Sequence, residues 1–307
     1  MKSVTVVTAY FDIGRKDFKA VPRTGDVYFE QFAFWARMRN HLVVYTDADS
    51  EARILKIRDK FGLLEQTTVL VLDDLFAIEP EIYESMRSVA QDQFFRDFRI
   101  MPNATSGIPE YSYLMLLKTW FLADAVKRGL TSETIAWLDF GFNHGGHAYP
   151  NSEEFDFEWS SESIDKVQLF VFGEYDERPI FEIIRRLSDY VMGATFLAPS
   201  DRAGELWDAN REAMVNLLRL GLIDDDQLIQ LLSYRTHPDL YDLRPSDWFK
   251  PLKDVAAPHL TFAKPVRRPR VLEFVRSLAH RWRRHRLAWA TSVRLYRNLM
   301  RGRPCVN

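Results

Sequence analysis

Three aspartates follow short apolar segments of the kind that form buried strands, and they are the first candidates for chemistry. They are Asp12, Asp47 and Asp139. The carboxyl ends of parallel strands meet at one edge of a sheet, where open α/β proteins bind their ligands. Carboxylates beside cationic side chains suit a divalent cation and a diphosphate, because Mg²⁺ and Mn²⁺ bind carboxylate and phosphate oxygens together.

Arg15 and Lys118 are the candidate cations. Arg15 follows the first apolar segment, and Lys118 interrupts an otherwise apolar helical pattern. The Lys118 side chain could either carry its amine to water along a packed stem or contact a phosphate. The sequence contains neither a G-x-G-x-x-G nor a G-x-x-x-x-G-K-[ST] loop, so dinucleotide-binding and P-loop sites are not predicted.

The elements that must position these side chains alternate along the chain. Nearly continuous apolar runs predict strands buried on both faces, at Val4–Phe11, His41–Thr46, Thr67–Leu72, Ile135–Phe140, Val167–Phe172 and Tyr190–Leu197. Apolar residues at helical spacing predict helices, at Val27–Met38, Ser50–Phe61, Tyr111–Lys127, Ala203–Leu220 and Asp225–Tyr234. This order predicts an α/β domain over residues 1–263, with a mostly parallel sheet and helices on both faces.

Each candidate also has a purely structural interpretation. Asp12 and Asp47 could form turns or cap helices, with Ser50 as the predicted N-cap of the second helix. Asp139 is the strongest candidate, because a charge directly behind a buried strand is costly without a partner. Asp224 is predicted to cap the last helix.

Further candidates come from two later segments. Asp226 and Gln227 open the last predicted helix and could serve as a general base or accept hydrogen bonds from sugar hydroxyls. His144 lies in a glycine-rich loop and could be a ligand, a donor to substrate or part of the surface. His237 could close the site, although its position favours a structural role.

Composition excludes several classes of protein. A chain that is 47% hydrophobic and 27% charged can bury a large core and is not disordered. Its single cysteine, Cys305, excludes an intrachain disulfide and, at the terminus, a nucleophilic thiol. The sequence lacks a G-x-S-x-G elbow and H-E-x-x-H or C-x-x-C zinc motifs. The N-terminus is predicted to be a strand rather than a signal peptide, which indicates a cytoplasmic protein.

The segment 264–307 differs in charge from the rest of the chain. It carries thirteen basic residues and one acid, a net charge of +12, against −14 for residues 1–263. Its apolar residues recur at helical spacing and include Trp282 and Trp289, which predicts a cationic amphipathic helix. We expect this tail to bind an anionic membrane surface rather than nucleic acid. Docking onto the acidic domain is the remaining alternative.

Several segments resemble the bacterial HtrL/YibB family, which is often encoded in surface-polysaccharide gene clusters. They are VTAYFDIGR, YFEQFAFWARMRNHLVVYTD, LKTWFLADAVKRGL, AWLDFGFNHGG, EEFDF and GLIDDDQ, and the resemblance runs from about residue 3 to 250. The family is similar to GT-A glycosyltransferases, which bind a nucleotide-sugar at the carboxyl edge of a Rossmann-type sheet. They hold its diphosphate through a metal bound by Asp-x-Asp.

The resemblance implies roles for individual positions. Those implied to face the nucleotide, its ribose or its diphosphate are Thr8, Tyr10, Arg15, Asp47 and Lys118. Asp139 would be the carboxylate nearest the metal, and Asp226 with Gln227 would face the donor or acceptor sugar.

One departure from the family pattern concerns the metal. The expected Asp-x-Asp reads Asp139-Phe140-Gly141, so its second carboxylate is missing. Either Asp139 holds Mn²⁺ or Mg²⁺ with help from His144 or His237, or the reaction needs no metal.

The resulting expectation is a glycosyltransferase (a hexosyltransferase) on the cytoplasmic face of the inner membrane. It would transfer a sugar from a nucleotide-sugar, specifically a UDP-sugar, to a hydroxyl of a lipid-linked glycan of lipopolysaccharide, O-antigen or capsule. In an inverting reaction Asp226 would deprotonate the acceptor. The alternatives are a non-catalytic carbohydrate-binding or scaffolding protein that kept the fold, and a nucleic-acid-associated protein recruited by the tail.

Overall fold

A computed structural model describes most of the chain in two units, Met1–Ala263 and Lys264–Asn307. The described residues are 1–18, 22–99, 105–145, 147–173, 175–186, 190–263, 289 and 293. The amphipathic helix predicted for 264–307 therefore lies outside the described residues, apart from Trp289 and Val293. Among the described residues, no helix is both long and apolar enough to cross a membrane.

A seven-stranded sheet forms the centre of the first unit. In chain order, the strands of the described residues are β1 Lys2–Ser3, β2 Thr5–Tyr10, β3 Leu42–Thr46, β4 Thr67–Val71, β5 Thr134–Leu138, β6 Ser160–Ser161, β7 Val167–Val171, β8 Val191–Pro199 and β9 Tyr241–Pro245. The order in the large sheet is β4-β3-β2-β5-β8-β7-β9, and β1 pairs separately with β6. Within the seven-stranded sheet, β8 runs antiparallel to its neighbours β5 and β7, and the other pairs of strands are parallel, so the prediction of a mostly parallel sheet is confirmed.

Helices cover both faces of this sheet. They are α1 Gly25–Trp35, α2 Ala48–Asp59, α3 Pro80–Gln91, α4 Gln93–Phe98, α5 Pro109–Lys127, α6 Ile180–Arg186, α7 Ala203–Arg219, α8 Asp226–Thr236 and α9 Pro251–Val255. One apolar core packs α5, α7 and α8 against the sheet, and a second packs α1, α2 and α9 against the opposite face. All residues of β2 and β3 are buried, which explains why these strands are apolar at nearly every position.

The helix ends follow local sequence signals. α5 begins with Pro109 at its first position, and Gly129, two residues beyond its end, has a φ of +72°, a left-handed conformation that glycine adopts without strain. The prediction that α2 starts at Ser50 is wrong. The N-cap is Asp47, whose Oδ1 accepts a hydrogen bond from the Ser50 backbone N–H at 2.9 Å. The sequence patterns did not indicate β9, which is buried only at its start.

Candidate functional site

A cavity of about 220 Å³ lies at the carboxyl ends of β2 and β5. The chain runs from β2 to β3 on one side, while β5 pairs with the other side of β2, so the strand order changes direction here. Ligands of open α/β sheets bind at such positions. The cavity wall comes from the loop after β2, the start of α1, the middle of α5, the loop after β5, β8, the start of α8 and the loop after β9.

Lys118 lies at the floor of this cavity between two carboxylates. Its Nζ is 2.7 Å from Asp139 Oδ1 and 2.6 Å from Asp226 Oδ2, and it donates to the Gly193 carbonyl at 2.9 Å. Burial alone would lower the pKa of this ammonium, but the two carboxylates outweigh that effect and raise the pKa. Lys118 is therefore a permanent cation. The Trp137 indole N–H donates to the same Asp139 oxygen at 2.7 Å.

The two carboxylates differ in their access to solvent. The side chain of Asp226 is 7% exposed and that of Asp139 is 34% exposed. In the described part of the chain, the hydrogen-bond and ion-pair partners of the Asp139 carboxylate are all at Oδ1, which leaves Oδ2 available to a ligand. Burial raises the pKa of the Asp139 carboxyl, and the Lys118 ammonium opposes that rise.

Gly193 allows Asp226 to reach the floor of the cavity. A Cβ at position 193 would lie 2.0 Å from Asp226 Oδ2, which is far inside van der Waals contact. A glycine in the interior of a strand often marks such a close approach. The arrangement around Lys118 thus depends on a residue without a side chain in β8.

Two arginines also form part of the wall. Arg15 and Arg23 both line the cavity, and within the described residues neither guanidinium forms an ion pair. Arg15 lies over the rings of Tyr111 and Tyr28, at 4.8 and 5.8 Å from their centroids, and Arg23 lies 5.9 Å from that of Tyr28. Arg15 Nε is buried without a hydrogen-bond partner among the described residues. These donors are suited to an anionic ligand.

The loop after β5 is strained where it reaches the cavity. Asn143 and His144 have φ of 65° and 45°, and Phe249 has a φ of 62°; non-glycine residues rarely adopt such values. The Asn143 amide fixes the loop by accepting from the Ala148 and Tyr149 N–H groups at 2.8 and 2.7 Å. The His144 ring packs edge-on against Phe249, 4.9 Å between centroids. The strained segments therefore meet at the cavity mouth.

Most of the predicted site residues converge on the cavity. Its wall includes Tyr10, Arg15, Lys118, Asp139, His144, Asp226 and Gln227. Burial, followed by the charges of Asp12 and Asp47, raises the pKa of Tyr10 to about 12, so its hydroxyl remains protonated. Burial, followed by the charges of Arg23, His147 and Arg15, lowers the pKa of His144 to about 4, so its imidazole is neutral at neutral pH.

Three predicted residues lie elsewhere. Thr8 is fully buried inside β2, two residues before the strand ends. Asp47 caps α2, and its Oδ2 accepts from the Asp12 backbone N–H at 3.2 Å. His237 follows α8 at the surface, where its Nε2 lies 3.0 Å from Glu212 Oε2.

The acidic triplet at the start of α8, residues 224–226, is divided among three roles. Asp224 is paired with Arg99 at 2.9 Å, while Asp225 occupies the N-cap position predicted for Asp224. Asp226 alone points to Lys118. Sequence reasoning missed Arg23, Tyr28 and Gly193; of these, only Gly193 carried a signal, as an isolated glycine within an apolar strand.

With the Lys118 ammonium between Asp139 and Asp226, the site around Asp139 does not fit a divalent cation. Among the described residues, no group of three or more His, Cys, Asp or Glu side chains could hold a metal. A Cβ at Gly141, the position of the missing carboxylate, would lie 2.7 Å from Gln31 Oε1 and 3.2 Å from the Tyr28 ring. The two carboxylates that do converge, those of Asp139 and Asp226, are already bridged by an ammonium.

Comparison with known proteins places the chain in a family. Residues 2–257 match the family model described as "Bacterial protein of unknown function (HtrL_YibB)". This chain belongs to the HtrL/YibB family. Protein HtrL of Escherichia coli (strain K12) is 28% identical over 256 residues, which cover 78% of this chain and 87% of that protein. The resemblance predicted from the sequence segments is thereby confirmed.

Among solved structures, one alignment extends over most of this chain with a low score. The apo crystal structure of mouse xyloside xylosyltransferase 1 aligns with a TM-score of 0.40 and 11% sequence identity. The alignment covers 78% of this chain and 84% of that one.

Proposed function

We propose that this HtrL/YibB family member is a glycosyltransferase that uses a nucleotide-sugar, specifically a UDP-sugar. One observation carries the proposal. Two arginines without an ion-pair partner among the described residues and an accessible carboxylate line the same cavity, at the position where the strand order of the sheet changes direction. A sugar nucleotide needs both: cations for its diphosphate and a polar group near its reacting carbon.

The diphosphate is proposed to lie against Arg15 and Arg23. A buried donor without a partner costs about 1–3 kcal/mol, and a phosphate oxygen at Arg15 Nε would remove that cost. Trp248 and Phe249 add aromatic surface at the mouth, on which a base or a sugar ring could pack.

The reacting carbon is proposed to lie near Asp139. The acceptor hydroxyl oxygen bonds to the anomeric carbon as the bond from that carbon to the donor phosphate oxygen breaks. The electron pair of the broken bond leaves with the nucleoside diphosphate. In an inverting reaction the hydroxyl proton passes to Asp139 Oδ2; in a retaining reaction it passes to an oxygen of the leaving diphosphate.

Asp226 is less suited to the role of base than the sequence suggested. Its Oδ2 contacts the Lys118 ammonium at 2.6 Å, and its side chain is nearly buried. We propose that it orients Lys118 and, through it, Asp139.

The acceptor and the location are proposals from the sequence. We propose a lipid-linked surface glycan as acceptor, reached from the cytoplasmic face of the inner membrane by binding of the basic segment 264–307 to anionic lipid. Flotation with anionic vesicles tests this. We expect the full chain to float and a chain ending at Ala263 to stay at the bottom; equal flotation of both would contradict the proposal.

Isothermal titration with UDP tests the donor site. We expect Arg15→Gln to weaken UDP binding by about 10- to 150-fold, because a hydrogen bond to a charged group contributes about 1.5–3 kcal/mol. Arg87→Gln is the matched control, since Arg87 is exposed, pairs with Glu84 at 2.9 Å and lies outside the cavity. Equal UDP affinity in both variants would contradict the assignment. Binding of donor without any turnover would favour the carbohydrate-binding alternative.

A further inference from the structure

The Lys118 ammonium has all of its hydrogen-bond donors occupied by the protein. An ammonium has three N–H groups, and Nζ has three acceptors: Asp139 Oδ1 at 2.7 Å, Asp226 Oδ2 at 2.6 Å and the Gly193 carbonyl at 2.9 Å. The side chain is 2% exposed. No donor is left for a phosphate, so Lys118 acts on the carboxylates and not directly on a ligand.

This position is the one that a shared metal ion would take. Two carboxylate oxygens and a carbonyl oxygen are ligands that hard divalent cations prefer. Here these three oxygens converge from the loop after β5, from β8 and from α8 on the nitrogen of Lys118, which α5 carries. An ammonium and a divalent cation bound by the same three oxygens would repel each other, because little water is present to screen their charges.

Two surrounding residues reinforce the arrangement. Gly193 leaves room for Asp226, because any Cβ there would lie 2.0 Å from Asp226 Oδ2. The Trp137 N–H holds the same Asp139 oxygen that Lys118 contacts, so this oxygen has two donors before any ligand arrives.

We propose that Lys118 replaces the divalent cation of this site, and that nucleotide-sugar binding and transfer proceed without a metal. Metal-independent binding and transfer of a nucleotide-sugar rest on the proposed function. The occupancy of the cation position by Lys118 does not depend on it. The negative charge of the diphosphate is then neutralised by Arg15 and Arg23, the cavity-lining guanidinium groups without an ion pair among the described residues. Lys118 is a positioning residue that fixes Asp139.

Manganese binding, measured by the loss of the free Mn²⁺ electron paramagnetic resonance signal, tests the occupancy directly. We expect the wild-type chain to bind Mn²⁺ only weakly, with less than one ion per chain at millimolar concentration. Lys118→Met removes the ammonium and leaves two adjacent carboxylates, so we expect it to bind about one Mn²⁺ per chain at least tenfold more tightly than the wild type. The matched control is Lys127→Met, at an exposed lysine of the same helix.

Two outcomes of this titration would overturn the inference. One is stoichiometric Mn²⁺ binding by the wild type that Asp139→Asn abolishes. The other is a Lys118→Met chain that is folded by circular dichroism and binds no more Mn²⁺ than the Lys127→Met chain.

A second measurement does not require the Lys118 variant to fold. We expect the wild-type affinity for UDP to be the same within twofold in excess EDTA and in Mn²⁺. An affinity that falls tenfold or more in EDTA would overturn metal independence. If UDP and other nucleoside diphosphates bind in neither buffer, the proposed function fails, and the Mn²⁺ titration alone still decides whether Lys118 occupies a cation site.

Discussion

Removing the Lys118 ammonium should destabilise the fold strongly, because it leaves a buried carboxylate without its cation. In Lys118→Met the side chain keeps a similar length, but Asp226, only 7% exposed, loses its partner at 2.6 Å. Breaking a buried pair by removing one partner costs about 3–5 kcal/mol. That is a large share of the roughly 5–15 kcal/mol by which domains are stable.

A second variant separates the lost charge from the lost packing. In Lys118→Met/Asp226→Asn both charges are gone and the shapes are nearly kept. We expect this double variant to recover at least about half of the loss, because replacing a buried ion pair by neutral groups is often nearly neutral. Lys127→Met, an exposed change on the same helix, should stay within about 0.5 kcal/mol of the wild type.

Urea unfolding at pH 7.5, followed by tryptophan fluorescence, gives these free energies. A Lys118→Met chain within about 1 kcal/mol of the wild type, or a double variant as unstable as the single one, would refute the reasoning. Either result would mean that the ammonium and the Asp226 carboxylate do not stabilise each other inside the protein.

Three further predictions concern the same cavity. Gly193→Ala should lower the free energy of unfolding in urea by about 1–3 kcal/mol, because its Cβ overpacks against Asp226. Gly204→Ala is the control and should be neutral or stabilising, since nothing lies within 4 Å of its Cβ. Equal effects of the two changes would contradict the close approach of Asp226 to Gly193. Because the pKa of His144 is lowered from 6.5 to about 4, the unfolded chain takes up the proton first, so stability should be complete above about pH 6.5 and fall by about 1–2 kcal/mol towards pH 4. His144→Gln should remove that part of the acid sensitivity, and an unchanged profile of unfolding free energy against pH would refute the assignment. Asp139→Asn should lower turnover of the donor by about 100-fold or more while UDP affinity changes less than fivefold; a parallel loss of both would place Asp139 in binding rather than chemistry.

The parts of the fold that depend on local sequence were predictable. β2, β3 and β5 are buried on both faces and are therefore apolar at nearly every position. The order of strands and helices then places the loops after β2 and β5 at one edge, which is why Arg15 and Asp139 were found from the sequence. Lys118 is recognisable because it interrupts an otherwise apolar helical pattern.

The contacts that depend on the position of β8 between β5 and β7 were not predictable from local sequence. β8 runs antiparallel between β5 and β7, and it brings Gly193 beneath Asp226. No local sequence pattern indicates which carboxylates the Lys118 ammonium contacts. From the sequence alone, Lys118 was therefore placed at the diphosphate. Asp47 shows the converse case, since its capping of α2 is a local role that its type and position already favoured.

Release of nucleoside diphosphate from sugar donors tests the central proposal most directly. The wild-type chain and Asp139→Asn would each be incubated with UDP-, GDP- and dTDP-activated sugars in excess EDTA, and the free nucleotide measured over time. We expect release from at least one UDP-sugar by the wild type, about 100-fold or more faster than by Asp139→Asn. Release that is absent with every donor in EDTA and with added Mn²⁺, together with no detectable UDP binding, would contradict the proposal that this cavity is a nucleotide-sugar site.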